Sequence, residues 1–390
     1  MPNDRSISIL SETPIEQIWS YLSLWESETA ARRLIDEKSA LQQIAVDENR
    51  FAEKARGVAY CLRNARECLR LREEAWIPRI VSKYYGTMWL LSAVMISDPA
   101  SPYTLQELEG ITKKGHGLSN VVDENAAFPA SEFVYVRDAG FFPAFLKSKG
   151  WSKKQLAEAR PTNQRIEDVA TLTPEDWARL ISLDDLFRRI PELAAYYTEV
   201  TGRRSMTAHV FHCARNMMEQ AERNGAEMKK GNFQPSPNPG YTWIGIAGSK
   251  GMSEVEVKAL GLPLTEWELG SEDAETYWRG KFEHDPASFW HQALPLHQSA
   301  MAPTSWIAPV SGSSMDYLAT NFMLLYGLSI LTRYRPRTWR EVVEGQFDTF
   351  RPLVSLYLQV VDRVLPEIAL EQVSGRRVSA VQPGSLFAPA

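Results

Sequence analysis

Two stretches of this chain are apolar on nearly every side when wound into helices: "PRIVSKYYGTMWLLSAVMIS" (78–97) and, far downstream, "MDYLATNFMLLYGLSILTRY" (315–334). A surface helix carries one apolar stripe, whereas a helix without a polar face must be surrounded by protein. A core assembled from both ends of the chain is therefore expected. The most apolar run, Tyr84 to Ile96, is shorter than the roughly 20 residues that a spanning helix needs. It reads as a buried core helix, with no membrane association.

The other bulk properties narrow the class. With 390 residues, 44% hydrophobic and 23% charged, the chain has ordinary globular composition and room for two or three subdomains. A net charge of −5 excludes a wholesale basic coat for nucleic acid but leaves room for a local basic face. Cys61 and Cys68 sit seven residues apart on an expected helix, about 10 Å from Cα to Cα, too far for a disulfide. Cys213 is remote from both. Unpatterned thiols suit a reducing compartment, and the N-terminus "MPNDRSISIL" lacks a signal-peptide layout. A cytoplasmic protein is expected.

Helix starts recur as capping boxes at Thr13…Glu16, Thr104…Glu107, Ser152…Gln155, Ser253…Glu256, Thr265…Glu268 and Thr338…Glu341. From Ser27 to Arg72 the chain reads as helical. Val58, Cys61, Leu62, Ala65, Cys68 and Leu69 make an inward stripe, and Arg56, Arg63, Arg66 and Arg70 share another face with Glu67 and Glu74 in reach. Strand-like alternation is confined to "FVYVRDAGFF" (133–142) and "YTWIGIAG" (241–248). The fold class is mainly α: a multi-helix bundle with a small mixed α/β middle region. The expected organisation is an N-terminal helical segment (1–50), a first part of the helical core (51–230), a mixed Pro/Trp-rich insert (231–311), a second part of the core (312–375) and a flexible tail (376–390).

"LSILTRYRPRTWR" (328–340) sets Arg333, Arg335, Arg337 and Arg340 against an apolar run. Arginines in a last helical turn complement the helix dipole. Pro336 stops the helix, and Thr338 with Glu341 would cap the next one. Each arginine thus has a structural task, and the alternative is a phosphate or carboxylate site. The arginine face with Arg63, Arg66 and Arg70 is a second candidate anion surface, because guanidinium groups pair with phosphate oxygens; solvated arginines neutralised by Glu67, Glu73 and Glu74 are the plainer account. His116, in "KKGHGLS" with Lys113 and Lys114, is a third: Gly115 and Gly117 either present a functional loop or simply allow a tight turn.

"AWIPRIVSKYYGTMWLLSAVMI" with "KKGHGLS", "LDDLFRRIPELAAYYTEV" (183–200) and "YLATNFMLLYGLSILTRYRPRTWREVVEG" (317–345) resemble, in order and spacing, the YaaC-like family. The likeness spans most of residues 50–373. The family carries no assigned activity, so the resemblance implies a relative and no mechanism. Orphan families of this kind occur in bacterial antiphage conflict systems.

"SKYYGTMWLLSAVMI" is also similar to the Tyr-Tyr-x-x-Phe-x-x-Ala core helix of HEPN domains, which implies metal-independent ribonuclease chemistry by an Arg-x(4–6)-His pair at a helix end. Such chemistry needs a cation and a group titrating near neutrality. Arg204…His209 and Arg279…His284 match, although Ser205 and Gly280 depart from the residue types that follow the arginine in that group. A helix would also place His209 and His212 three apart beside Cys213 without further ligands at metal spacing. No phosphate-loop, dinucleotide or nucleophile-elbow pattern occurs, so neither a cofactor nor a metal is expected.

The chain therefore reads as a binding or accessory subunit with a protein partner or a second copy, and possible contact with RNA or a nucleotide. A ribonuclease using Arg204 and His209 is one alternative. An effector with a small-molecule pocket lined by Trp278, Trp290 and Trp306 is the other.

Overall fold

The structure is a computed structural model that describes residues 6–45, 47–71, 75–231, 238–272, 275–310 and 316–381. The chain divides into two compact units, one made of Met1–Phe187 and Val310–Ala390 and the other of Arg188–Pro309. In chain order the first unit starts with β1 (Ile7–Leu10), α1 (Pro14–Leu24), α2 (Glu28–Gln42), α3 (Glu48–Leu69), α4 (Trp76–Ser97), α5 (Leu105–Thr112), β2 (Leu118–Val122), β3 (Glu132–Val136), α6 (Phe141–Ser148), α7 (Lys153–Glu158), α8 (Pro174–Trp177), β4 (Ile181–Ser182) and α9 (Leu183–Phe187). The second holds α10 (Ala194–Thr201), β5 (Thr207–His212), α11 (Ala214–Lys229), β6 (Tyr241–Ile246), α12 (Glu254–Lys258), β7 (Thr265–Glu272), β8 (Glu275–Glu283), α13 (Trp290–Ala293), β9 (His297–Ser299) and β10 (Ala302–Ile307). The chain then returns to the first unit with α14 (Tyr317–Tyr334), α15 (Pro336–Glu344), α16 (Arg351–Ser374) and β11 (Val378–Val381). The protein is mainly α, and among the described residues no helix is long and apolar enough to cross a membrane.

In the first unit α4 is the central helix. It packs on α3, α14 and α16, and its residues from Leu90 to Ser97 are all buried. The two all-round apolar helices meet: Tyr84 of α4 stacks on Phe322 of α14 with ring centroids 5.3 Å apart. The chain ends also meet, because β1 and β11 pair in parallel from Ile7↔Val378 to Leu10↔Val381. Residues 378–381 are thus a paired strand within the segment read from sequence as a loose tail.

Three lysines are buried in this apolar surround, each at a helix C-terminus where carbonyls lack intrahelical partners. Lys54, fully buried, donates to Asp98 O and Ser101 O at 2.7 Å and to Ile96 O at 3.4 Å, closing the end of α4. Lys38 donates to Val373 O (3.0 Å) and Gln372 O (3.3 Å) at the end of α16. Lys83 donates to Leu69 O at the end of α3 and pairs with Asp362 of α16 at 2.5 Å. A cation at that pole also satisfies the helix dipole.

The second unit is built on an antiparallel sheet ordered β7-β8-β6-β5-β10-β9. One face carries Ala208, Val210, Ile244, Ile246 and Trp306 under Val257, Leu260 and Leu264. The other carries Phe211, Trp243 and Tyr277, with α11 alongside. Asn216 of α11 binds Trp243 N and O at 2.7 Å, and the Arg215 guanidinium stacks 3.7 Å from the centre of the Trp243 ring. This unit starts at Arg188, ahead of the Pro/Gly linker where the sequence suggests a boundary, because Thr207–His212 is a strand of this sheet.

Several local expectations change in context. Capping boxes form at Thr104, Ser152 and Ser253. Thr13 makes no side-chain cap. Thr265 opens strand β7, where pairing with β8 overrides the helix-start signal. Thr338 lies inside α15, which starts two residues earlier at Pro336. "FVYV" and "YTWIGI" are strands as expected, but the Gly140 turn sends Phe141–Ser148 into a helix.

Burial lowers the ammonium of Lys54 from 10.5 to about 8. The unfolded chain therefore holds the extra proton between pH 8 and 10.5, and stability gains from this group as pH rises through that window. Relative to Lys54→Met, the wild type should gain up to about 3 kcal/mol across it, read by urea unfolding at stepped pH. At pH 7, Lys83→Met should cost about 1–3 kcal/mol by leaving Leu69 O without its lysine donor and Asp362 with Arg79, 3.7 Å away, as its remaining cation, read by urea unfolding.

Candidate functional site

The site is laid down by the corner between α14 and α15. Asp316 caps α14 by accepting from Leu318 N at 2.8 Å and Ala319 N at 3.4 Å. The helix stays buried through Thr332, Pro336 starts α15, and Arg335 stands at the junction. The four arginines of this corner diverge. Arg333 turns back on its own helix, donating to Ser329 O (2.9 Å) and Ser329 Oγ (3.2 Å), with its guanidinium 5.1 Å from the centre of the Tyr334 ring. Arg335 pairs with Glu124 at 2.6 Å and lies 4.0 Å from Glu132 Oε1. Arg337 is exposed and makes no ion pair among the described residues. Arg340 pairs with Glu341 at 3.1 Å. They do not form one clamp.

Beside this corner lies a cleft of about 540 Å³, walled by the β2–β3 connection and by the start of α15; Glu124, Ser131, Tyr334, Arg335, Arg337 and Phe347 line it. The hydrogen bond from Arg335 holds the Glu124 carboxyl below its usual range and raises Arg335 in turn. Glu132 is 6% exposed and Glu132 Oε1 has no hydrogen bond. Burial pushes this carboxyl up, against the pull of Arg335. Arg335 is thus paired with Glu124 and approached by Glu132, while Arg337 on the rim acts on Glu124 and Glu341 through its field alone. The cleft combines an exposed cation without an ion pair among the described residues, the carboxylates of Asp123, Glu124 and Glu341, an exposed aromatic ring (Tyr334, 66%) and an apolar wall, the mixture that ligand sites use.

His116 lies in a second built feature of the same unit, a glycine-flanked loop packed on α4. Gly115 and Gly117 flank it with φ of 99° and 77°, and Gly140 answers with φ 115°. The two turns touch: a Cβ on Gly117 would stand 2.4 Å from Pro143 Cδ, and one on Gly140 would stand 2.5 Å from Gly117 N. Phe141 N donates to Gly115 O, Phe142 N to His116 O and Arg137 N to Gly117 O. The loop is therefore bolted in place at both glycines. The imidazole stacks on Tyr84, with centroids 5.5 Å apart, and Nδ1 contacts the Tyr84 hydroxyl. Burial, then the field of Arg333, lowers the His116 imidazole. Burial holds Tyr84 well above its usual range and lifts Tyr326 to about 12.

The remaining candidates stand elsewhere. On α3, Arg66 forms a two-pronged pair with Glu26 (2.7 and 2.7 Å), Arg63 donates to Glu26 O and Arg70 pairs with Glu16. These acids come from the α1 side of the unit, while Glu73 and Glu74, suggested from sequence, lie outside the described residues. Lys113 pairs with Glu109. His209 and His212 lie on strand β5 and not on the expected helix, so the HEPN placement of an arginine–histidine pair at a helix end is absent there. Arg204 is exposed in the preceding loop, and no hydrogen bond joins it to His209. Arg279 pairs with Glu268 (2.7 Å), and His284 Nε2 meets Thr242 Oγ1 (2.9 Å). Trp278 and Trp306 fill the core of the second unit, donating to Met252 O and Leu260 O, with Trp290 packed against it.

Tyr84, Tyr326 and Glu132 escaped the reading of sites from sequence. An aromatic or a buried carboxylate carries no spacing signal; only packing shows what it faces. Gly117→Ala should cost about 2 kcal/mol or more through strain at positive φ and collision with Pro143, measured by thermal unfolding. Because the folded His116 titrates below 6.5, the unfolded chain takes the proton first. The stability tied to neutral His116 is full above pH 6.5 and is lost as pH falls through the folded value. His116→Gln should flatten that acid limb.

Comparison with curated proteins finds no match, and comparison with solved structures finds none. The family model described as YaaC-like Protein matches residues 23–373, spanning every block of the first unit that shapes the cleft and the His116 loop. The chain belongs to the YaaC-like family.

Proposed function

We propose that this protein is a recognition module whose helical core serves as a bundle-like platform. Its cleft at the α14–α15 corner takes a ligand bearing an anionic group. The observation that carries this reading is the division of labour within the cleft: Arg335 is locked by Glu124 and Glu132, and Arg337, on the rim, is left without an ion pair among the described residues. A guanidinium held free at the mouth of an aromatic-walled cavity suits a phosphate or carboxylate. Its volume falls within the range of small-ligand sites, roughly 300–1,000 Å³. The unpaired thiols Cys61, Cys68 and Cys213 support a cytoplasmic setting. An accessory role beside a catalytic or nucleic-acid-linked partner follows from a site equipped to bind.

The test is a thermal-shift panel of nucleotides, sugar phosphates and dicarboxylates. A ligand at a hundredfold excess over its Kd should stabilise the protein by about 2.7 kcal/mol. Arg337→Ala should weaken that ligand roughly tenfold, about 1.4 kcal/mol, while Arg63→Ala leaves it unchanged. A panel without any shift, or equal shifts in Arg337→Ala, would sink the reading. Incubation with single-stranded and structured RNA in EDTA should show no cleavage that His209→Ala abolishes.

A further inference from the structure

The cleft at the α14–α15 corner is lined by more acid than base. Asp123, Glu124 and Glu341 face it together with Arg335 and Arg337. The wall as a whole therefore does not favour an anion, although one of its arginines does. Most of these charges are already answered. Glu124 pairs with Arg335 at 2.6 Å. Glu341 pairs with Arg340 at 3.1 Å and accepts from Gln346 N at 3.1 Å. The charges left over are of opposite sign: neither Arg337 nor Asp123 makes an ion pair among the described residues.

Asp123 is no loose surface acid. It directly follows β2, and its backbone is tied on both sides: Asp123 N donates to Ser131 O at 2.9 Å, and Ala126 N donates to Asp123 O at 3.2 Å. Its Oδ1 accepts from Asn125 N at 3.0 Å. Its Oδ2 makes no hydrogen bond among the described residues. Arg337 sits in the first turn of α15. The two groups thus stand on different walls of one cavity of about 540 Å³, and no ion pair joins them among the described residues. Phe128, Tyr334 and Phe347 line the same cavity.

We propose that the ligand of this cleft is a small zwitterion, with its anionic group at Arg337, a protonated amine at Asp123 and an apolar body against the aromatic rings. The inference rests on the reading of the cleft as an anion-binding site and adds the second charge that the ligand carries. A ligand displaces water as it enters. A bare anion would leave the Asp123 carboxylate drier and still unpaired, which is costly. An amine answers that carboxylate with a charge-assisted hydrogen bond. A ligand with a second anion in place of the amine would face Asp123, Glu124 and Glu341 together, so like charge selects against it.

The experiment titrates the full chain, by calorimetry and thermal shift, with matched sets of probes. One set is para-aminomethylbenzoate, para-methylbenzoate and para-methylbenzylamine. The other is phosphoethanolamine, ethyl phosphate and ethylamine. In at least one set the zwitterion should bind roughly tenfold or more tightly than its anion-only and amine-only counterparts. Asp123→Asn, which keeps the Oδ1 acceptor for Asn125 N, should cost that zwitterion roughly tenfold and leave the anion bound no more weakly. Arg337→Ala should weaken zwitterion and anion alike. The proposal is overturned if in both sets the anion binds as tightly as the zwitterion, or if folded Asp123→Asn holds the zwitterion as the wild type does. Anion binding that depends on Arg337 would then leave the anion-site reading standing alone. If no member of either set binds, or if binding ignores Arg337→Ala, that reading falls together with the proposal. The wild-type comparison decides even if a variant fails to fold.

Discussion

The structure depends on the seam between α4 and α14. Each helix is apolar all round and neither is stable in water alone, so each supplies the surface that the other must bury. Tyr84 against Phe322 marks the seam, and α3 and α16 close the remaining sides of α4. Burying polar groups costs free energy unless they are paired, and this seam leaves helix ends inside the protein. The buried lysines answer that cost: Lys38, Lys54 and Lys83 each bring their donors to carbonyls at the end of a different helix. The charge that looks out of place in the core is what allows long helices to terminate there.

The same seam creates the chemistry at its edge. Where α14 leaves the core, its last turn carries Arg333 and the corner carries Arg335 and Arg337, so adjacent arginines meet different surroundings. Arg333 turns back on Ser329 and lies against the Tyr334 ring, Arg335 pairs with Glu124 with Glu132 4.0 Å away, and Arg337 stands at a cavity rim. The His116 loop, by contrast, is held by backbone hydrogen bonds at Gly115, His116 and Gly117. Gly117 and Gly140 permit backbones to touch where a side chain would keep them apart.

The second unit shows how sheet pairing overrides local signals. "TAHVFH" alternates buried Ala208 and Val210 with outward His209, but the spacing of its histidines also fits one face of a helix. Its partners in the sheet, near Gly245 and Ser305, are remote in sequence and leave no mark in the segment itself. Thr265 met the same fate, losing a helix cap to strand pairing with β8.

The sequence by itself determined the mainly helical class, the union of early and late apolar helices, the stop at Pro336 and the membership that those blocks signal. These are legible because periodicity and capping are local properties of the chain. Tertiary structure alone decided that Arg66 and Arg70 are taken by Glu26 and Glu16, that Trp278 and Trp306 are core, and that His116 is held against Tyr84. The physical reason is that what a charge or a ring can do depends on its neighbours, and here those neighbours arrive from chain segments that no local pattern connects.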